Sequence, residues 1–346
     1  MRFSNIGLSI VRSYVALGLY FNYKKIQVRG KEHVPENKPV LFLSNHQNAL
    51  MDALIIATKS GRFCYYLTRA SVFQKPVIAR ILKRLRMLPV YRVRDGWQTI
   101  SNNNDIFKRC TTLLHDNEAI VIFPEGNHSL KRKVRPLSKG FTRLVFETLD
   151  AYPNIALQLL PVGVNYQNAK QYGDSMLLQI GQSLVVNKEF LKDRKQVEKE
   201  LKITIQNQIQ QLTTHISSPD YDSMAHRLHK HNANFLNPEQ VNYYIEQEAI
   251  IEGFEQKPTA FLGLKSLFKY ALILNVFPVY WLWKLVLRPK IKEDEFMATF
   301  RFAWSITLVP MYLLLVAITL GLLLGWHLAL GWLLTVLTIA LLAVKL

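Results

Sequence analysis

The sequence predicts an α/β fold: a mixed, largely parallel sheet flanked by helices, with an N-terminal amphipathic helix and a C-terminal two-helix transmembrane hairpin. Three observations carry this prediction. Short apolar runs of strand length alternate with longer helical stretches, the pattern of a parallel sheet covered on both faces. Polar clusters follow three of those runs directly, at the strand ends where open α/β sheets place their sites. From Ala303 to Val344 the chain has no Asp, Glu, Lys or Arg, and these 42 residues fit two spans rather than one, since one span takes about 20 residues.

Composition narrows the partners. In the 346-residue chain Lys and Arg outnumber Asp and Glu by 43 to 25, a formal charge of +18. That balance favours nucleic acid, phosphorylated metabolites or an acidic lipid surface, and the hairpin excludes nucleic acid by placing the chain in a membrane. Cys64 and Cys110 are isolated, with no CxxC pair, which predicts reduced thiols in a cytosol-facing domain.

Taken in order, residues 3–22 are apolar but interrupted by Arg12. A broken apolar stretch with no small-residue cleavage site is not a signal peptide. It predicts an amphipathic helix on the membrane, with Lys24, Lys25, Arg29 and Lys31 at the headgroups. Strands are predicted at Ile26–Val28, 39–43, 63–69, 87–92, 119–123, 157–164 and 176–180. Helices are predicted after Asp52, which would cap Ala53–Ala57, and over 76–87, 99–116, 139–150, about 191–216 and 238–254. Residues 267–288 are aromatic and apolar but carry Lys269, Pro278 and Lys284. They predict an interfacial or re-entrant segment rather than a third full span. The expected organisation is a membrane-associated helix (1–30), the α/β domain (31–216), a helical linker with the interfacial segment (217–302) and the hairpin (303–346). Basic residues flank the hairpin at Lys284, Arg288, Lys290, Lys292, Arg301 and Lys345, so its ends and the α/β domain are expected on the cytoplasmic side.

The chemistry lies at the strand ends. His46 follows the first buried run and Asp52 lies a few residues on. A neutral imidazole there can take a proton from a hydroxyl while a carboxylate on its other nitrogen fixes the tautomer. Residues six apart do not share a helix face, so contact between His46 and Asp52 requires part of 47–51 to be non-helical. The alternative is that Asp52 is only a helix cap and His46 only a polar strand end. Arg92 ends the fourth run, where it is either a bidentate phosphate ligand or a surface arginine. Glu125, Gly126, Asn127, His128 and Ser129 follow the run 119–123, and Lys131, Arg132, Lys133, Arg135 and Lys139 come next. Glycine there lets backbone N–H groups approach an oxyanion. The basic run binds phosphate or acidic lipid, or is a solvated loop.

As a set these residues resemble the glycerophospholipid acyltransferases, the PlsC-like family. Asn45-His46 with Asp52 resembles the catalytic block. Ser71-Val72-Phe73 with Lys75-Pro76, then Leu88-Pro89-Val90-Tyr91-Arg92, resembles the second block, whose arginine contacts the substrate phosphate. Phe123-Pro124-Glu125-Gly126-Asn127-His128-Ser129 resembles the third, continued by Lys139-Gly140, and Leu160-Pro161-Val162-Gly163-Val164 the fourth. The likeness covers about residues 36–185. It implies catalysis by His46 and Asp52, and substrate binding by Asn45, Arg92, Glu125, Gly126, Asn127, Arg135 and Lys139. There are two departures: five residues separate His46 from Asp52 where the common form has four, and Asn127-His128 stands in place of Thr-Arg.

The resemblance implies transfer of a fatty acyl group from acyl-CoA or acyl carrier protein (acyl-ACP) to glycerol-3-phosphate or 1-acylglycerol-3-phosphate (lysophosphatidate), at a phospholipid membrane. The acyl carrier is a co-substrate, and neither cofactor nor metal is called for. No Gly-x-Ser-x-Gly elbow supports an acyl-enzyme. Competing readings are a lysophospholipid acyltransferase, an inactive protein that binds anionic lipid, and a phosphohydrolase with His46, Asp52, Glu125 and His128 on a metal. The last lacks HxxxH or HExxH spacing.

Overall fold

The computed structural model describes residues 3–91, 103–247 and 262–346. In chain order the α/β part runs α1 (Phe3–Asn22), β1 (Lys25–Arg29), β2 (Val40–Ser44), α2 (Ala49–Lys59), β3 (Cys64–Arg69), α3 (Pro76–Arg84), β4 (Met87–Val90), α4 (Asn103–His115), β5 (Ala119–Ile122), α5 (Gly140–Ala151), β6 (Leu157–Tyr166), β7 (Ser175–Ile180), β8 (Leu184–Val186) and α6 (Arg194–Leu212). There follow α7 (Tyr221–Lys230), α8 (Pro238–Gln247), α9 (Leu262–Asn275), α10 (Phe277–Leu282), α11 (Met297–Leu324) and α12 (Trp326–Lys345).

The strands form one sheet in the order β1-β7-β6-β2-β5-β3-β4, with β8 also on β6. Every pairing is parallel except β6 with β7 and β6 with β8. Alternation along the central strands feeds two cores, and apolar side chains on both faces explain why these strands read as unbroken apolar runs. Val40, Phe42 and Val121 point to one face, where Leu19 of α1, Ile55 of α2 and Phe302 of α11 cover them. Leu41, Leu43 and Ile120 point to the other, beneath α4, α5 and α6. The connections β2-α2-β3 and β3-α3-β4 step the same way across the sheet, so right-handed crossovers put α2 and α3 on the same face.

Local chemistry corrects several expectations. Asp52 does not cap α2: the helix begins at Ala49 with Asn48 as the capping residue, and Asp52 lies inside the first turn. β8 and α7 were not expected from the sequence. α7 starts where Asp220 accepts from the Ser223 N–H, so the Ser-Ser-Pro-Asp break is also a helix start. β4 ends at Val90, and Arg92 lies outside the described residues, as do 99–102 and 248–254 of two predicted helices.

α11 and α12 are long and apolar enough to cross a membrane, and they turn at Gly325, whose φ is +99°. Both ends of the pair are tied to the α/β part. Arg301 donates to the Lys170 carbonyl at 2.7 Å and Lys345 to the Tyr23 carbonyl at 2.8 Å. The predicted segment 267–288 is a broken pair of helices meeting at 94°, interrupted beside Pro278. Val276 packs with Leu313 of α11 and Val336 of α12.

Candidate active site

β2 delivers Asn45 and His46 to the carboxyl edge of the sheet, next to the ends of β5 and β6. The chain then turns sharply into α2. Asn48 lies outside both the helical and the extended regions (φ −132°, ψ 51°), and Ala49 takes a left-handed φ of +42°, uncommon for a residue with a Cβ. This turn absorbs the five-residue spacing and brings the helical Asp52 back beneath the strand end. Asp52 Oδ2 accepts from His46 Nδ1, the Gln47 N–H and the Asn48 N–H, each at 2.8 Å. Its Oδ1 accepts from the Tyr166 hydroxyl at 2.7 Å. Both Asp52 and Tyr166 are fully buried.

Four donors on one carboxylate make it an acceptor throughout, so His46 Nδ1 carries the proton and Nε2 is left as the base. The imidazole is clamped from the side as well: it stacks on Phe123 with centroids 4.0 Å apart and planes at 16°. The Ser129 N–H donates to the His46 carbonyl at 3.1 Å. Asn45 is pinned to β6, donating to the Val164 carbonyl at 3.0 Å and accepting from the Val164 N–H at 2.8 Å.

The loop after β5 forms the second wall. Gly126 has φ +76°, a value that suits glycine. Its N–H donates to the Phe123 carbonyl at 3.1 Å. Glu125 is almost enclosed and receives Arg135 Nε at 2.7 Å, while Arg135 also bonds the side chain and carbonyl of Asn127. Burial pushes the Glu125 carboxyl up, against the opposing pull of Arg135 and then His46. His128 lies edge-on to His46 at 5.6 Å and against Phe296 at 4.8 Å. Burial, followed by the charge of His46, lowers its pKa.

The sequence-predicted residues do not all converge. His46, Asp52, Asn45, Glu125, Gly126, Asn127 and Arg135 meet at this edge. Lys139 lies at the start of α5, pairing with Glu198 of α6 at 3.4 Å. Arg132 is held inward, donating to the carbonyls of Tyr166 (2.8 Å) and Gln167 (3.0 Å) and lying 3.5 Å over the Phe235 ring. The cleft beside His46 is lined by Gln47, Glu125, Ser129, Lys131, Lys133 and Thr214, so two lysines supply its exposed positive charge. Among the described residues, the group bringing metal-type ligand atoms together is His128, Glu293 and Glu295, within 4.8 Å of one another. It is not the set of His46, Asp52, Glu125 and His128 that the phosphohydrolase reading needs.

Tyr166 and Phe123 have clear parts in this geometry that sequence reasoning missed. Tyr166 closes a ten-residue buried strand and reads there as core. Its place is set by the pairing of Ser44 with Val162, which carries β6 past the end of β2 and over Asp52.

Residues 25–165 match the family model described as Acyltransferase. The chain is similar to 1-acyl-sn-glycerol-3-phosphate acyltransferase BAT2, chloroplastic, of Brassica napus, at 24% identity over 155 residues, 44% of this chain and 42% of that protein. It is also similar to glycerol-3-phosphate O-acyltransferase 1 of Saccharomyces cerevisiae, at 24% identity over 125 residues, 34% of this chain and 16% of that protein. The matches therefore span less than half the length of these relatives. A solved structure, the 1-acyl-sn-glycerophosphate (LPA) acyltransferase PlsC from Thermotoga maritima, aligns with 60% of this chain and 83% of its own at 18% identity and a TM-score of 0.41.

Proposed function

We propose that this chain, which carries an Acyltransferase-family domain at residues 25–165, is a membrane-bound O-acyltransferase. It moves a fatty acyl group from acyl-CoA or acyl-ACP to the hydroxyl of glycerol-3-phosphate or 1-acylglycerol-3-phosphate in phospholipid biosynthesis. The observation that carries the reading is the buried Asp52 holding His46 Nδ1 at 2.8 Å, with Nε2 free beside a lysine-lined cleft.

His46 Nε2 takes the proton of the acceptor hydroxyl as its oxygen attacks the thioester carbonyl. The tetrahedral intermediate collapses with C–S cleavage, and the imidazolium returns the proton to the departing thiolate. Asp52 stabilises the imidazolium and holds the tautomer. Lys131 and Lys133, with Arg92 by family resemblance, hold the acceptor phosphate and so place the hydroxyl. Arg135 orders the loop beside His46 through Glu125 and Asn127. The reaction so drawn calls on no cofactor or metal. The basic base of the α11–α12 pair and its two ties to the α/β part favour a catalytic domain on the cytoplasmic side.

The test is thiol release from acyl-CoA by the full chain in liposomes, with each acceptor offered separately and His46→Ala alongside. Release that depends on one acceptor and vanishes in the variant is expected. Equal release in the variant overturns the role of His46.

A further inference from the structure

Helix α3 is inside out for a helix on a soluble domain. None of its residues is buried, and its large apolar side chains face outward: Val77, Ile78 and Ile81 are 62%, 41% and 51% exposed. At about 100° per residue these three form one stripe. Arg80, Lys83 and Arg84 occupy the neighbouring exposed arc, with Arg84 about 20° from Val77 and Lys83 on the far side. Among the described residues the helix packs on β4 and on the turn Ala70–Phe73, which leave the stripe uncovered. A globular domain normally turns such a stripe to its core.

We propose that α3 lies in the plane of the membrane and binds anionic phospholipid. The stripe enters the boundary between headgroups and acyl chains, and the three basic side chains reach the lipid phosphates. The location supports this occupant. The right-handed crossover puts α3 on the same face of the sheet as α1 and α2, the face that α11 also covers before its membrane-length run. The outer side of α1 is apolar too, with Ile6, Ile10 and Leu17 more than half exposed. The chain carries +18 overall, which matches an acidic surface. α3 follows the carboxyl end of β3, on the same sheet edge as His46, so lipid bound there approaches the cleft from the side an amphiphilic acceptor would use. The inference rests on the membrane reading of the α11–α12 pair and not on the chemistry at His46.

The test is spin labelling of the full chain in nanodiscs at Ile81→Cys. Leu315→Cys serves as the bilayer reference and Lys199→Cys as the aqueous one. Native Cys64 and Cys110 are buried with their thiols pushed up to about 12, so the label goes to the introduced cysteine. At Ile81 collisions with oxygen should exceed those with a water-soluble nickel chelate, as at Leu315. The excess should grow as phosphatidylglycerol replaces phosphatidylcholine. Exchanging Arg80, Lys83 and Arg84 for Gln should remove that lipid dependence, each charge being worth about fivefold in the bound population. An Ile81 label as open to nickel as Lys199 overturns the proposal. So does a label shielded from both reagents, which means protein (a second copy of the chain included) covers the stripe. An aqueous Leu315 label overturns the membrane reading and the proposal with it.

Discussion

The Tyr166 hydroxyl donates to Asp52 Oδ1 at 2.7 Å from the far end of the longest strand in the sheet. It is the one partner of that oxygen among the described hydrogen bonds, so the carboxylate behind His46 is held from both sides. Tyr166→Phe removes the bond without changing the packing volume. Stripping a buried carboxylate oxygen of its donor should cost about 1–3 kcal/mol of stability. Turnover should fall about tenfold with little change in KM, since the residue acts through Asp52. A changed KM with unchanged kcat would place Tyr166 in substrate binding.

Asp52→Asn tests the tautomer directly. The amide can still accept from the Gln47 and Asn48 N–H groups, but it no longer fixes the His46 Nδ1 proton by charge. By analogy with other His–carboxylate pairs, kcat should drop about 10³- to 10⁴-fold. The double variant with His46→Ala should be no slower than His46→Ala alone, because the two residues act as a unit. Additive losses in steady-state kinetics would show that Asp52 does something separate.

Asp174 gives the fold a pH signature away from the chemistry. It is 6% exposed, and burial pushes its carboxyl from 3.8 up to about 6 against the N–H groups of Asn168 and Ser175. Between about pH 4 and pH 6 the folded chain keeps a proton that the unfolded chain has lost, so stability from this group falls as pH rises through that window. Above it the full cost of about 3 kcal/mol stands. Asp174→Asn should therefore melt higher than the parent at about pH 7.5 and equally at about pH 4. A constant difference across that range would locate the effect in packing.

Gly163 marks a close approach in the core. A Cβ there would lie 2.2 Å from the Leu212 carbonyl oxygen at the end of α6. Gly163→Ala should lose about 1–3 kcal/mol by overpacking. Gly126→Ala meets no atom within 4 Å and strains only the backbone at φ +76°, a cost of about 1–2 kcal/mol. Thermal unfolding in detergent should show both losses, while the larger loss of activity should fall on Gly126→Ala, whose loop is bonded to His46 through the Ser129 N–H.

Much of this was legible along the chain. Apolar runs such as Val40–Leu43 and Ala119–Ile122 declared a sheet buried on both faces, because each residue of a doubly covered strand needs an apolar partner. The uncharged stretch from Ala303 declared two membrane-length helices, because a bilayer core tolerates no unpaired charge. The pairing of His46 with Asp52 was legible as chemistry, and so was its condition, a break in regular helix between them. Tertiary structure decided how that condition is met, through the left-handed Ala49, and which side chain completes it. Tyr166 lies 114 residues from Asp52, and no local period encodes the β2–β6 register that joins them. The same holds for Arg132, which reads as a phosphate ligand in a basic run and is instead turned inward onto two carbonyls. Spacing along the chain fixes which groups can share a strand end or a helix face. Which of them meet across the sheet depends on strand order and register, and those are set by the packing of the whole core.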